Sequence, residues 1–326
     1  MKILITGGAG FIGSHLARYC QNQGHTVAII DKDFSNHPMS EIDMKWNVNL
    51  TDYSPGTNIN MIFDSFRPDV CFHLAAYASE GRSNHIREYI TRNNTLTTMR
   101  IINYCVKYDI KLVFTSSVAV YSGPGPWDEF FTLPRPIDEY GLSKFMSECS
   151  IRIAAETQGL RYCIVRPRNV YGPGQNMWDP SRNLFGIWMY NTLHNKPCLI
   201  YGDGMQKRCF TYIDDLIPSL YKAKDVENRT VNLGNAVSYH VKLAGAMLAT
   251  ITGYDNFEYV PERHEVKEAI CDTKLSQELL DWPRGLGTTL HQGLSRMWAW
   301  AQEQPDRPLD AMPPLEVNVN AHQSLK

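Results

Sequence analysis

The stretch ITGGAGFIGSHLA, residues 5–17, decides the fold. It follows an apolar run, KILIT (2–6), and opens a segment with helical periodicity, so it reads as the turn between a strand and a helix. Gly7, Gly10 and Gly13 stand where a pyrophosphate lying against that turn would need them. The first glycine permits the tight turn, the second lets backbone approach the phosphates, and the third lets helix pack on strand. The helix N-terminus then offers its free N–H groups to the same phosphates. Turns use glycine freely, so the triplet gains its weight from its place between strand and helix. A second strand, TVAIID (26–31), ends in Asp31, 18 residues after Gly13. A carboxylate there accepts hydrogen bonds from an adenosine ribose and repels a 2′-phosphate. The expected cofactor is therefore NAD rather than NADP, with Lys32 the neighbour that weakens the preference.

Outward from this turn, DVCFHLA (69–75), KLVFTSS (111–117) and RYCIVRP (161–167) read as further buried strands. Helical segments are expected near 10–23, 59–66, 85–108 and 140–158. Strand and helix taking turns argues for an α/β fold, a doubly wound parallel sheet of the Rossmann type with helices on both faces. After Gly172 the alternation gives way to a helix near 184–195, a short strand CLIYGDG (198–204) and a second strand CFTYI (209–213), then a helix with Asp214 or Asp215 as its N-cap. This describes a dinucleotide-binding domain over 1–172, with sheet strands returning after 200, and a smaller C-terminal α/β lobe over 173–304. From Pro305 the chain is rich in proline and polar residues, and a flexible tail, 305–326, is expected to be poorly ordered or draped on the surface.

The whole-chain properties exclude several functions. The 326 residues carry a formal net charge of -2 and no run of lysine or arginine, which argues against nucleic acid. No run of about 18 apolar residues occurs, so no membrane span is expected, and the N-terminal apolar run passes into the glycine turn rather than into a signal-cleavage pattern. Eight cysteines without a C-x-x-C pair read as reduced thiols of a cytoplasmic protein, and no metal site is expected.

A second motif lies in PIDEYGLSK (136–144), where Tyr140 and Lys144 are spaced i and i+4 on one helix face. Tyrosine is a poor base near neutrality, and bringing its pKa from 10 to near 7 takes roughly 4 kcal/mol, which an adjacent ammonium and a nicotinium charge would supply. Tyr-x-x-x-Lys is common on exposed helices. Here Ser117, at the C-terminal end of a sheet strand where open α/β folds bind ligands, completes a proton-transfer set for hydride chemistry at a carbinol carbon.

These residues resemble the extended short-chain dehydrogenase/reductases that act on nucleotide sugars, with UDP-glucose 4-epimerase as the best-known type. The resemblance runs from Lys2 to about Gln302 and rests on TGGAGFIG, HLAA (73–76), TSSVAVY (115–121), YGLSK, RPRNVYGPGQ (166–175), IYGDGMQKRCFTYIDD (200–215) and CDTKLSQELLDW (271–282). It implies that Tyr140 is the base, Ser117 its partner on the sugar hydroxyl, and Lys144 the holder of the nicotinamide ribose. It extends the cofactor set to Phe11, Ile12, Lys32, Asn49, Leu50, Leu74, Ala75, Ala76, Asn94 and Pro167. Asn169, Asn183, Arg208 and Arg263 match positions that contact a nucleotide diphosphate, and the smaller lobe becomes the one that binds a nucleotide sugar, expected to be UDP-linked. An arginine fork suits phosphate oxygens on chemical grounds as well. Two departures stand out: Asn49 where an acidic residue usually meets the adenine amine, and Cys209 where aspartate is common.

Relatives that dehydrate the sugar carry an acidic pair at the positions of Val118 and Ala119, and decarboxylases keep the glutamate. Without either acid, what remains is removal and return of hydride at one carbon, a C4 epimerisation with tightly bound NAD regenerated in each turnover. Asn176 stands where glucuronate-using members have an arginine, which favours a neutral hexose, and the small Ala269 matches a position that would admit an N-acetyl group. A dehydratase or decarboxylase would have to recruit its acid elsewhere, with Cys149, Glu148 or Glu80 as conceivable donors. A catalytically inactive NAD-binding sensor or scaffold would be expected to lack Ser117, Tyr140 or Lys144, and all three are present. The resemblance also implies a homodimer through the helices near 85–108 and 140–158.

Overall fold

The structure, a computed structural model, describes residues 1–54, 59–123, 125–263, 265–285, 287–317 and 319. Seven parallel strands form the central sheet: β1 (Lys2–Thr6), β2 (Thr26–Asp31), β3 (Met44–Asn47), β4 (Val70–His73), β5 (Lys111–Thr115), β6 (Tyr162–Pro167) and β7 (Arg229–Leu233). Their order is β7-β6-β5-β4-β1-β2-β3. Successive side chains point to opposite faces of a strand, and the core divides accordingly. Ile3 and Ile5 face one apolar layer, which takes Leu16 and Cys20 from α1 (Phe11–Asn22); Leu4 faces the other, which takes Ile59, Ile62 and Phe63 from α2 (Ile59–Phe66). Burial on both faces is why the inner strands read as unbroken apolar runs.

The two edge strands have no such run. β3 is Met-Lys-Trp-Asn with alternate residues exposed. β7 is Arg-Thr-Val-Asn-Leu, and its buried Asn232 is satisfied by accepting from the Tyr121 hydroxyl (3.2 Å) and donating its backbone N–H to Glu129 (2.6 Å).

The single helix expected over 85–108 is interrupted. After a short turn, α3 (Glu80–Ser83), the chain forms α4 (Arg87–Ile90), a π-helical turn over Thr91–Leu96, and then α5 (Thr97–Lys107). The next helix, α6 (Glu139–Gln158), starts at Asp138, whose side chain accepts from the Gly141 N–H at 2.7 Å, and stops at Gly159 in the left-handed conformation. In the smaller lobe, α7 covers Leu184–Leu193 and α8 covers Ile213–Lys222. The expected strand CFTYI is split at Phe210 between Lys207–Cys209 and Thr211–Tyr212, which pair with different neighbours. Neither Asp214 nor Asp215 caps α8: the N-cap is Tyr212, and Asp215 instead accepts from the backbone N–H and hydroxyl of Thr288 at 2.8 and 3.0 Å.

The chain after Pro305 is draped across the molecule by specific bonds. Arg307 stacks on Trp178 (4.0 Å to the ring centroid) and donates to Asn36 (2.5 Å), and Asp310 accepts from Asn176 (2.7 Å). Pro313 accepts from Arg82 (2.5 Å), and both carboxylate oxygens of Glu316 take backbone N–H groups of the first turn of α4. Of the expected tail, residues 318 and 320–326 lie outside the described residues.

Candidate active site

The strand order reverses between β1 and β4, the point at which doubly wound sheets take ligands. A cavity of about 860 Å³ opens there and runs from the glycine turn to the smaller lobe. Gly7 has φ +70°, and a Cβ on it would stand 2.7 Å from the Ala75 backbone nitrogen; one on Gly13 would stand 2.0 Å from the Gly7 carbonyl oxygen. The turn is thus closed to any side chain. Gly10, the N-cap of α1, makes no side-chain cap, which leaves first-turn N–H groups facing the cavity. At the end of β2, Asp31 accepts from the N–H groups of Ala9 (3.0 Å) and Lys32 (2.8 Å). Burial raises its pKa, with these backbone bonds pulling the other way. Phe11, Ile12, Lys32, Asn49, Leu50, Leu74, Ala75, Ala76 and Pro167 also line the cavity. A glycine cradle without Cβ atoms, open amides and a ribose-height carboxylate fit a dinucleotide.

At the other end, β5 leads into a single 3-10 turn, Val118–Val120, with the Ser117 Oγ accepting from the Ala119 N–H at 3.1 Å. The first turn of α6 packs on this turn so closely that a Cβ on Gly141 would lie 2.2 Å from the Ala119 carbonyl oxygen. That glycine is what allows Tyr140 to stand beside Ser117. Lys144, one helical turn on, donates to the Thr115 carbonyl at 2.7 Å and sits 6.0 Å from the centroid of the Tyr140 ring. Ser117, Tyr140 and Lys144 all line the cavity and are otherwise buried.

Burial pushes the Tyr140 hydroxyl well above its usual pKa, and the charge of Glu80 adds to this, while hydrogen bonding from Ser117 opposes both. Burial also pushes the Lys144 ammonium down to about 7, against the pull of Glu148. Among the protein's own groups, desolvation and the charges of Glu80 and Asp138 outweigh the hydrogen bond of Ser117 and the charge of Arg182.

Asn94 is the one residue of the expected cofactor set that does not line the cavity. The π-helical turn sends Asn93 and Thr97 to the cavity wall and turns Asn94 inward, where it clamps the Tyr77 backbone (accepting from N at 2.8 Å, donating to O at 3.1 Å) and donates to Ser143. It supports the wall rather than forming it. Asn169, Asn183, Arg208 and Arg263 do line the cavity. Asn169, at φ +31°, donates to the Cys209 carbonyl, and Asn183 is the N-cap of α7 without a side-chain cap bond. Arg208 and Arg263 share the Glu265 carboxylate at 2.8 and 3.3 Å. Glu265 escaped the sequence reading because strand pairing, not spacing, brings its segment to Arg208. Asp179 and Arg182, a local i,i+3 pair at 2.9 Å, also line the cavity.

Of the three conceivable donors, only Glu80 lines the cavity. Glu148 is locked beneath it, accepting from Ser116 (2.6 Å), Arg152 (2.7 Å) and Arg166 (2.5 and 2.8 Å). Cys149 lies elsewhere on α6. Ala269 also falls outside the cavity wall, packed with Val118, Val120, Tyr121, Trp127 and Cys271.

A doubly wound sheet with a phosphate-sized glycine turn at its switch point, and a Ser, Tyr and Lys set at the same edge, defines a dinucleotide-dependent α/β enzyme. The chain belongs to the NAD dependent epimerase/dehydratase family, whose model matches residues 3–234. It is similar to a UDP-N-acetyl-alpha-D-glucosaminuronate decarboxylase of Bacillus cytotoxicus, 30% identical over 72% of this chain and 75% of that one. Among solved structures it resembles the UDP-glucose 4-epimerase of Thermotoga maritima with UDP-glucose (TM-score 0.83, 28% identity, 93% of this chain and 99% of that one). It also resembles the UDP-glucuronic acid 4-epimerase of Bacillus cereus in complex with UDP-glucuronic acid and NAD (TM-score 0.84, 26% identity, again 93% and 99%). The cofactor is NAD. These relatives span epimerases and decarboxylases, and neutral and acidic sugars, so the choice among them falls to this chain's own residues.

Proposed function

We propose that the protein is a 4-epimerase of nucleotide-diphosphate hexoses, expected to be UDP-linked, working through a transient 4-keto sugar. The observation that carries this reading is the pairing of Ser117, Tyr140 and Lys144 in one cavity with a turn, Val118–Val120, that offers no acid or base. Val118 packs into an apolar cluster instead of facing a sugar. Gly7, Gly10, Gly13 and Asp31 hold NAD, which when bound accepts a hydride and returns it. Tyr140 takes the proton of the sugar 4-hydroxyl and gives it back, Ser117 orients that hydroxyl, and Lys144 holds the nicotinamide ribose. Arg208, Arg263, Asn169 and Asn183 hold the diphosphate, so the nucleotide stays fixed while the hexose turns. Glu80 supports a second reading, a lyase in which this carboxylate moves the extra proton.

Purified protein incubated without added cofactor with UDP-glucose, UDP-galactose and UDP-GlcNAc, followed by proton NMR, tests both. A C4 epimer at the expense of one of these is the expected result; a 4-keto or unsaturated product would favour the lyase. Tyr140→Phe is expected to lose at least about 10²-fold in turnover while keeping its fold by circular dichroism. Unchanged turnover would sink the mechanism.

We also propose a homodimer. Leu142, Met146 and Ile153 form an exposed apolar stripe along α6, beside the exposed Leu96, and a second copy of the same surface would cover it. All eight cysteines are free, which supports a reducing compartment such as the cytoplasm.

A further inference from the structure

We infer that Glu80 sets the sugar class, admitting neutral hexoses and turning away hexuronates; this rests on the nucleotide-sugar reading of the cavity. The residue opens α3, and two contacts fix where α3 stands. Asn84, just beyond it, accepts from the Glu139 N–H at 3.1 Å, which ties α3 to the first turn of α6 beside Tyr140. On the other side, an Arg263 Nη lies 3.1 Å from the position a Cβ on Gly81 would take. Glu80 therefore faces the cavity between the residue that meets the reacting hydroxyl and the arginines that meet the diphosphate. The hexose must occupy that interval.

The other charged groups around this interval already have partners. Arg208 and Arg263 share Glu265, and Arg182 holds Asp179. No hydrogen bond or ion pair engages the Glu80 carboxylate among the described residues, and it is exposed to the cavity. A free carboxylate at this point accepts hydrogen bonds from sugar hydroxyls. It repels a second carboxylate; the cations that act on it, Arg208 and Arg263, are shared with Glu265 and on this reading face the diphosphate. Asn176 adds no free cation: its amide is held by Asp310, whose carboxylate also pairs with Arg307 at 3.2 Å.

Isothermal titration of the NAD-bound enzyme with UDP, UDP-glucose and UDP-glucuronate at pH 8 tests the assignment without depending on turnover. UDP-glucuronate should bind at least about tenfold more weakly than UDP-glucose, and Glu80→Gln should narrow the gap to about threefold by tightening glucuronate alone. Glu80→Asp, which keeps the charge, should keep the discrimination. Equal affinities in the wild type, or a ratio unmoved in Glu80→Gln while UDP binds normally, would overturn the role of Glu80 and leave the nucleotide-sugar reading standing. Failure of UDP itself to bind would overturn both.

Discussion

Glu148 carries no chemistry, yet it is the side chain whose loss the site would tolerate least. It is fully buried and holds Arg166, itself 2% exposed, along with Ser116, the neighbour of Ser117. Removing one partner of a buried ion pair strands the other, so Glu148→Ala should lose about 3–5 kcal/mol in urea unfolding. Asp138 behaves in the opposite sense. Burial and then the charge of Glu80 push its pKa up to about 7, with Glu139 adding to this and the backbone N–H groups of Gly141 and Tyr140 opposing. A carboxyl raised in the folded state contributes stability that is full below its ordinary pKa of 3.8 and is lost as pH rises toward 7. Glu80→Gln removes part of that loss. The variant should match the wild type in melting temperature at acid pH and exceed it at pH 8 by on the order of 2 °C, read by thermal denaturation. Ser117, Tyr140 and Lys144 were legible because their spacing and strand-end position carry the chemistry. The inward turn of Asn94 was not legible, because one extra residue in a helical turn rotates the side chains after it and no residue type announces such a turn.

Among the elements, the inner strands and α1 and α2 could be read from periodicity because each buries an apolar surface, whereas α6 buries Ser143, Lys144, Ser147 and Glu148. The edge strands β3 and β7 could not: β3 half-buries only alternate residues, and β7 carries an exposed arginine and a buried asparagine. On α6 the same logic leaves a residue pattern unexplained by the monomer: Leu142, Met146 and Ile153, the last 59% exposed, recur at helical spacing on the side away from the sheet. If a second copy covers this stripe, Ile153→Glu should shift the protein from dimer to monomer in size-exclusion chromatography with light scattering. A wild-type monomer would remove the stripe's explanation.

Across the whole molecule, the segment after Pro305 joins the two halves. It touches Asn36, Arg82 and α4 on the nucleotide side and Asn176 and Trp178 on the other, and residues 310–314 form part of the cavity wall. Composition alone suggested a loose tail, because proline and polar residues build no core of their own; its partners lie more than a hundred residues away and leave no local signal. A chain ending at Gln304 should fold, since α6 and the sheet do not depend on the tail, but should lose NAD faster on dialysis, measured as cofactor per protein by absorbance after acid release.

That stretch also leaves the ribosome after the glycine turn, Asp31 and the sheet edge. The glycine turn, Asp31 and the sheet edge are made first and can fold while the far bank of the cleft is still missing. The dinucleotide then meets a cleft without residues 310–314 during synthesis and one lined by them afterwards. Denatured protein refolded with NAD present should load to one cofactor per chain, and the full-length apoprotein given the same NAD should load far more slowly than the chain ending at Gln304.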